Sequence, residues 1–152
     1  MYKKIISKFI KENVTVATAE SCTGGLLSYS FIKNRGVSKI FKTGIICYSN
    51  ESKIKFLQIS KNLIKNHGAV SSQVAKKMSE NLFKLTNCNL CISVTGVAGP
   101  SGGSDKKPVG LVYIGIKYKK ENIVFKKYFK GSRIQIQKQI IIFIFKKINS
   151  LI

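Results

Sequence analysis

Histidine, acidic residues and arginine are all scarce in this chain, and their scarcity excludes several kinds of site. Of 152 residues, one is histidine, six are acidic and two are arginine. A Ser-His-Asp triad needs a histidine as its base, and zinc sites commonly draw on several histidines. The single histidine, His67, lies in the sequence KNHGAV, which is typical of a helix end or a loop. No zinc site is therefore expected, and a nucleophile would need a base other than histidine.

Long hydrophobic runs are also missing. The longest apolar stretch, residues 140–145, has six residues and is followed by two lysines, whereas a membrane-spanning helix needs about 20 apolar residues. The first residues, MYKKII, do not contain the apolar core and small-residue cleavage site of a secretion signal. The sequence therefore predicts a cytoplasmic protein with no membrane contact.

The positive charge is large and comes almost entirely from lysine. The formal net charge is +21, and because only Arg35 and Arg133 are arginines, lysine supplies 25 of the 27 basic residues. Specific recognition of bases and phosphates draws heavily on the forked guanidinium of arginine. The lysines are also spread along the whole chain. We interpret them as a solvated surface and expect only weak, salt-sensitive, non-specific binding to nucleic acids.

The four cysteines do not form a recognisable zinc or redox motif. Cys88 and Cys91 make a lone CxxC, with no second pair and no histidines at ligand spacing. A redox CxxC usually begins a helix, but this one runs into a strand-like segment. Together with Cys22 and Cys47, these residues are predicted to be buried, reduced thiols, as is typical of the cytosol.

The order of predicted elements indicates one α/β domain spanning residues 1–152. Helices and strands alternate at first, and a hairpin and a final helix follow, which favours a three-layer α/β/α sandwich with a mixed, mostly parallel sheet. Helices are predicted at 2–12, 26–32, about 50–57, part of 58–66, about 72–85 and 133–149. Strands are predicted at 14–19, 43–48, 90–94, 109–118 and 123–129.

Polar clusters follow the first three strands at residues 18–25, 48–53 and 95–107. In open α/β sheets, ligands bind at the carboxyl ends of the strands. We therefore expect these three clusters to meet in one site.

The first two clusters contain a possible nucleophile and a possible base. Ser21 is either a helix N-cap or a nucleophile. Lys53 could serve as its base if burial lowers the pKa of the amine, and Tyr48 could hold or relay the proton between them. The backbone N–H groups of Thr23, Gly24 and Gly25 could hold an oxyanion or a phosphate.

Four longer segments have a specific family resemblance. They read TAESCTGGLLS at 18–28, GIICYSNESK at 44–53, GAVSSQVAKKM at 68–78 and SVTGVAGPSGGSDKKPVGLVY at 93–113. Together they resemble the CinA C-terminal domain family, the nicotinamide-nucleotide amidohydrolases. Their order and spacing are similar to the family's over nearly the whole chain.

The resemblance implies an amidohydrolase that deamidates nicotinamide mononucleotide to nicotinate mononucleotide and ammonia, in pyridine-nucleotide recycling. It implies no metal and no cofactor, a small-molecule nucleotide substrate and a homo-oligomer. By motif, the catalytic residues are Ser21, Tyr48 and Lys53. The oxyanion and substrate contacts fall on a larger set: Thr23, Gly24, Gly25, Asn50, Thr95, Gly96, Gly99, Gly102 and Gly103.

The chain departs from the family pattern in places, and two alternatives stay open. Ser72 and Gln73 stand where a glutamate is common, Asn89 where an acidic residue is usual, and residues 34–38 replace a PGSS turn. These changes affect subunit contacts or substrate fit and none of the proposed catalytic groups. One alternative is a Cys22 thiolate as nucleophile. The other is a non-catalytic nucleotide- or nucleic-acid-binding protein of the same fold.

Overall fold

The elements alternate along the chain as the sequence predicts. A computed structural model describes residues 2–151. Its helices are α1 (Tyr2–Lys11), α2 (Leu26–Ile32), α3 (Asn50–Leu57), α4 (Lys61–His67), α5 (Ser72–Thr86) and α6 (Arg133–Asn149), with one 3-10 turn at Val37–Lys39. Its strands are β1 (Val16–Glu20), β2 (Phe41–Ile46), β3 (Leu90–Gly96), β4 (Leu111–Tyr118) and β5 (Glu121–Tyr128).

The five strands form one mixed sheet in the order β2-β1-β3-β4-β5. β1 pairs in parallel with β2 and with β3, whereas β4 pairs antiparallel with β3 and with β5. Four strands therefore run in one direction and β4 runs against them, which confirms the predicted mixed, mostly parallel sheet. The carboxyl ends of β1, β2 and β3 lie at one edge of the sheet.

Helices cover both faces of the sheet, which confirms the three layers. On one face, α1, α2 and α6 meet around Phe9, Phe31 and Phe145, with the rings of Phe31 and Phe145 4.8 Å apart. On the other face, α5 packs with Met78 and Leu82 against β1 and β3. Because both faces are covered, all of β1 is buried, as expected for a strand in the middle of a parallel sheet.

Several predicted helix bounds are right, and the strand bounds differ from the prediction by up to two residues. Helices α2 and α6 begin and end where the sequence predicts, and β4 and β5 form the predicted hairpin. Strand β2 spans 41–46 rather than 43–48. The chain leaves the strand early because Ser49 caps α3: its side chain accepts the Ser52 N–H, and the Ser52 hydroxyl accepts the Ser49 N–H.

The cysteines and helices agree with the remaining expectations from composition. All four cysteines are free and buried, which confirms buried, reduced thiols. His67 is the last residue of α4, a helix end as predicted. Among residues 2–151, the longest helix has 17 residues, and none of the helices qualifies as a membrane span.

The aromatic contacts under α2 predict a large loss of stability on truncation. Phe31 is fully buried against Phe41 and Phe145, so Phe31→Ala should lower the free energy of unfolding by about 3–5 kcal/mol. Tyr29→Ala removes an aromatic ring from the same helix, but Tyr29 is 57% exposed and its loss should cost less than about 1 kcal/mol. Urea denaturation of the two variants measures both values. Equal losses would contradict this packing.

Candidate active site

Three segments meet at the carboxyl edge of the sheet and line a cavity of about 270 Å³. Ser21 follows β1, residues 48–53 follow β2, and Thr95 and Gly96 end β3 and lead into the loop up to Gly102. The cavity is near the lower limit of small-molecule sites, which measure roughly 300–1,000 Å³. The predicted site residues on its wall are Ser21, Tyr48, Asn50, Lys53, Thr95, Gly96, Gly99 and Gly102, whereas Thr23, Gly24, Gly25 and Gly103 lie away from it.

The Lys53 amine contacts the Ser21 hydroxyl directly. Lys53 Nζ lies 2.9 Å from Ser21 Oγ. The two side chains come from different segments, Lys53 from the first turns of α3 and Ser21 from the turn after β1. Both are buried, with Lys53 1% exposed and Ser21 7% exposed. This contact joins residues 32 positions apart in sequence.

The surroundings of Lys53 Nζ suit an uncharged amine. Its other hydrogen-bond partners are the carbonyl oxygens of Cys47 at 3.0 Å and Tyr48 at 3.3 Å, which can only accept. A neutral amine has two N–H donors for these carbonyls, and its lone pair is then free to accept the Ser21 O–H. Burial lowers the pKa of Lys53 below its ordinary value because the charged form loses its hydration.

The thiols of Cys47 and Cys22 lie near the Lys53 amine, but they do not cancel the lowering of its pKa by burial. Negative charge on Cys47 and Cys22 would raise the pKa of Lys53. Burial, however, raises the pKa of Cys47 to about 11 and that of Cys22 to about 12, so both thiols are protonated at neutral pH. The same shift weakens the alternative nucleophile, because Cys22 lies on the cavity wall as a thiol and not as a thiolate.

Tyr48 is placed differently from the prediction. Its side chain is 61% exposed, and its hydroxyl accepts a hydrogen bond from Arg133 Nη2 at 3.0 Å. Only its backbone oxygen contacts the dyad, at 3.3 Å from Lys53 Nζ and 3.5 Å from Ser21 Oγ. Since the amine and the hydroxyl already touch, the expected proton relay through the Tyr48 hydroxyl is not the arrangement found.

Arg133 is a cavity residue that the sequence reasoning missed. It is the first residue of α6, and its Nη1 donates to the Gly99 carbonyl at 2.8 Å. Its guanidinium therefore ties the loop after β3 to Tyr48 across the cavity. A signal was present: in a chain with 25 lysines and two arginines, an arginine marks a position where a forked donor is needed.

The turn between Ser21 and α2 also differs from the prediction. Gly25 is the N-cap residue of α2, with φ 101°, so Ser21 is not the N-cap. Gly25 N–H donates to the Glu20 carboxylate at 3.1 Å, and Gly24 N–H donates to the Ser21 carbonyl at 3.1 Å. The expectation that both glycines offer free donors to a substrate is wrong because these groups are used inside the protein.

Glycines at the end of β3 and in the loop after it allow close backbone packing. A Cβ atom on Gly96 would lie 2.8 Å from the Leu111 carbonyl oxygen, and one on Gly103 would lie 2.9 Å from Val109 N. Gly96 faces the cavity, but Gly103 lies outside it, against the segment that leads into β4. Lys107 Nζ donates to the His67 carbonyl at 2.6 Å and does not line the cavity.

No group of three or more histidine, cysteine, aspartate or glutamate side chains suitable for a metal ion lies in the described part of the chain. The basic side chains on the cavity wall are those of Lys53 and Arg133. The donor set of the cavity thus suits an anionic or polar organic ligand.

Comparison with known proteins places this geometry in a family. The model of the CinA C-terminal domain matches residues 1–152. The chain belongs to the CinA C-terminal domain family. A relative from Clostridium novyi (strain NT), whose name describes it as competence-damage inducible, is 45% identical over 133 residues, covering 88% of this chain. A second, of the same description, from Caldanaerobacter subterraneus subsp. tengcongensis is 46% identical over 137 residues and 90% of this chain.

The CinA C-terminal domain is only part of those relatives. The chain spans 32% and 33% of their lengths, about a third of each. Solved structures match over nearly their whole length. The competence/damage inducible protein CihA from Agrobacterium tumefaciens has a TM-score of 0.94 at 32% identity, covering 99% of this chain and 92% of that one. A CinA superfamily protein from Klebsiella pneumoniae 700603 has a TM-score of 0.94 at 26% identity, covering 98% and 93%.

The burial of Lys53 predicts a pH-dependent stability. Between the lowered folded-state pKa and the ordinary value of 10.5, the unfolded chain binds a proton that the folded chain does not. The unfolding free energy of the wild type, relative to Lys53→Met, should therefore rise with pH by up to about 1.4 kcal/mol per unit and level off above the ordinary value. Urea denaturation between neutral and alkaline pH measures this difference.

Lys55→Met is the matched control, since Lys55 lies on the same helix but is exposed. Its difference from the wild type should stay constant over the same pH range. A constant difference for Lys53→Met as well would contradict a lowered pKa at Lys53.

Proposed function

We propose that this protein hydrolyses the carboxamide of nicotinamide mononucleotide to nicotinate mononucleotide and ammonia, as part of pyridine-nucleotide recycling. The observation that carries the proposal is the buried amine of Lys53, 2.9 Å from the Ser21 hydroxyl on the wall of the cavity. An amine of lowered pKa beside an alcohol is a base and a nucleophile in contact. The amide substrate comes from the family resemblance of the motifs that supply these two residues.

In the first half of the reaction, neutral Lys53 takes the Ser21 proton as Ser21 Oγ attacks the carboxamide carbon. The new C–O bond gives a tetrahedral oxyanion. When this collapses, the C–N bond breaks, the Lys53 ammonium returns the proton to the leaving nitrogen, and ammonia departs. In the second half, Lys53 takes a proton from water as the water oxygen attacks the ester carbon. When this second tetrahedral intermediate collapses, the bond between the carbon and Ser21 Oγ breaks, the Lys53 ammonium returns the proton to Ser21 Oγ, and the carboxylic acid leaves.

Cys22 is the proposed oxyanion donor. Among the described residues, its backbone N–H group donates to no protein oxygen, unlike those of Gly24 and Gly25. Cys22 directly follows Ser21 and lines the cavity, and the N–H after a nucleophile is a frequent oxyanion donor. A donor of this kind contributes about 10²–10³ in kcat.

The mouth of the cavity is the proposed site for the rest of the nucleotide. Asn50 lies there beside the first turn of α3, and Arg133 presents the guanidinium that now bonds Tyr48 and Gly99. The net charge of +21 also draws an anionic substrate toward the protein. Tyr48 contributes by holding Arg133 rather than by moving the proton.

The proposal extends to the setting of the protein. Four free, buried thiols suit a reducing cytoplasm, where the enzyme would work without a cofactor, a metal or a membrane. A homo-oligomer and weak, non-specific nucleic-acid binding remain part of this proposal. The chain spans about a third of the length of its curated relatives. The proposal therefore concerns the activity of this domain alone.

Ammonia release with defined variants tests the function. The wild type should release ammonia from nicotinamide mononucleotide, and Ser21→Ala should lower kcat by at least roughly 10⁴-fold, as loss of a serine nucleophile does elsewhere. Lys53→Arg should lose a similar factor, since a guanidinium stays protonated. Cys22→Ser should keep measurable turnover.

Two results would contradict the proposal. Turnover by Ser21→Ala with loss in Cys22→Ser would move the nucleophile to the thiol. Tight binding of the nucleotide by the wild type with no ammonia released would favour the non-catalytic alternative.

A further inference from the structure

We infer that Glu20 is the residue that positions Ser21 for reaction. The inference rests on the proposed function, in which Ser21 is the nucleophile, and adds a group that does not touch the substrate. Glu20 is the last residue of β1 and is fully buried. A buried carboxylate is costly unless donors surround it, so its presence one residue before the nucleophile calls for a structural reason.

The carboxylate of Glu20 is surrounded by donors from the turn and from α2. Oε2 accepts the Thr23 hydroxyl at 2.7 Å, the Gly25 N–H at 3.1 Å and the Leu27 N–H at 2.9 Å. Oε1 accepts the Ser28 N–H at 2.7 Å and the Ser28 hydroxyl at 2.6 Å. Both oxygens are therefore fully used, and every residue that bonds them lies between positions 23 and 28.

These bonds determine the shape of the turn that carries Ser21. The N-cap residue Gly25 has no side chain with which to cap α2. The Glu20 carboxylate instead accepts the N–H groups at the start of α2, and these bonds hold residues 23–28 over the end of β1. The turn is closed by Gly24 N–H donating to the Ser21 carbonyl. Ser21 is thus fixed between a strand and a helix start that one side chain holds together.

The main chain of Glu20 also reaches the base. Its carbonyl accepts the Cys47 N–H at 2.8 Å, and the Cys47 carbonyl in turn accepts from Lys53 Nζ at 3.0 Å. Ser21 N–H donates to the Val94 carbonyl of β3 at 3.0 Å. Glu20 therefore connects to both members of the Ser21–Lys53 pair, through its side chain on one side and its backbone on the other.

Glutamine cannot replace this carboxylate. An amide has one accepting oxygen and an NH₂ that only donates, so the donors facing one of the two carboxylate positions would lose their acceptor and meet another donor. The turn should loosen and Ser21 should move relative to Lys53. A displacement of about 1 Å can cost roughly 10²-fold in rate. Because the Glu20 carboxylate already bonds N–H groups at the start of α2, these groups are not available to bind the substrate phosphate.

Two readouts on the full chain test the inference. The first is the rate at which a fluorophosphonate labels Ser21, located by mass spectrometry, which requires an activated serine but no particular substrate. The second is kcat and KM for nicotinamide mononucleotide. Glu20→Gln, shown to be folded by circular dichroism, should lose roughly 10²-fold in labelling rate and in kcat. KM should change little because the rest of the cavity wall comes from other segments.

A matched pair of serines keeps the test decisive if Glu20→Gln does not fold. Ser28→Ala removes one donor to Glu20 and the hydrogen bond between the Ser28 and Thr18 hydroxyls at 2.7 Å. Ser30→Ala removes a hydroxyl on the same helix that bonds only the Leu26 carbonyl, at 2.7 Å. Slower labelling in Ser28→Ala than in Ser30→Ala supports the inference. Equal rates in that pair, or wild-type labelling of folded Glu20→Gln, would overturn it.

The two proposals fail separately. If the wild type is labelled at Ser21 but releases no ammonia, the proposed function fails and the labelling rates still decide the role of Glu20. If ammonia release is normal in Glu20→Gln, the role of Glu20 fails and the function stands. If the fluorophosphonate does not label Ser21 in the wild type, Ser21 is not an activated serine and this inference is overturned.

Discussion

The candidate site depends on the burial of one amine, that of Lys53, to which no carboxylate of residues 2–151 is bonded. The partners of Lys53 Nζ are the carbonyls of Cys47 and Tyr48 and the hydroxyl of Ser21. A buried ammonium would need a counter-ion to repay its lost hydration. A buried neutral amine needs no counter-ion, and the two carbonyls and the Ser21 hydroxyl supply its hydrogen-bond partners. Burial lowers the pKa of Lys53, and the neutral amine can then take the proton of Ser21, which is the basis of the reactivity proposed for this serine.

The α/β fold creates this environment by bringing strand ends together. The Ser21 turn and the segment that enters α3 leave adjacent parallel strands, so their side chains meet although they are far apart in sequence. The carbonyls that satisfy Lys53 belong to the link between β2 and α3, where the strand has ended and the backbone oxygens turn toward the site. Ser49 ends that link by capping α3, which sets where Lys53 leaves the helix.

Much of this arrangement could be predicted from the sequence. Hydrophobic periodicity and capping residues were enough for the order of the elements, the bounds of α2 and α6 and the hairpin. The rule that ligands bind at the carboxyl ends of strands brought the clusters of Ser21 and Lys53 together, and the family resemblance of their motifs singled out these two residues. These features depend on local patterns or on topology, both of which the sequence carries.

Other features depend on side-chain direction, which the sequence does not carry. Tyr48 was expected beside the dyad, but its ring turns outward to Arg133, which comes from a helix 85 residues away. Gly24 and Gly25 were expected to face a ligand, but the neighbouring Glu20 side chain folds back and takes the Gly25 donor. In each case the partner is set by tertiary packing.

The protonation state of Lys53 tests the account most directly. Wild-type protein labelled with ¹³C at lysine Cε can be titrated by NMR, with Lys53→Met identifying the Lys53 resonance. The account predicts a folded-state pKa below the ordinary 10.5, and a Lys53 resonance that titrates at or above that value would contradict it.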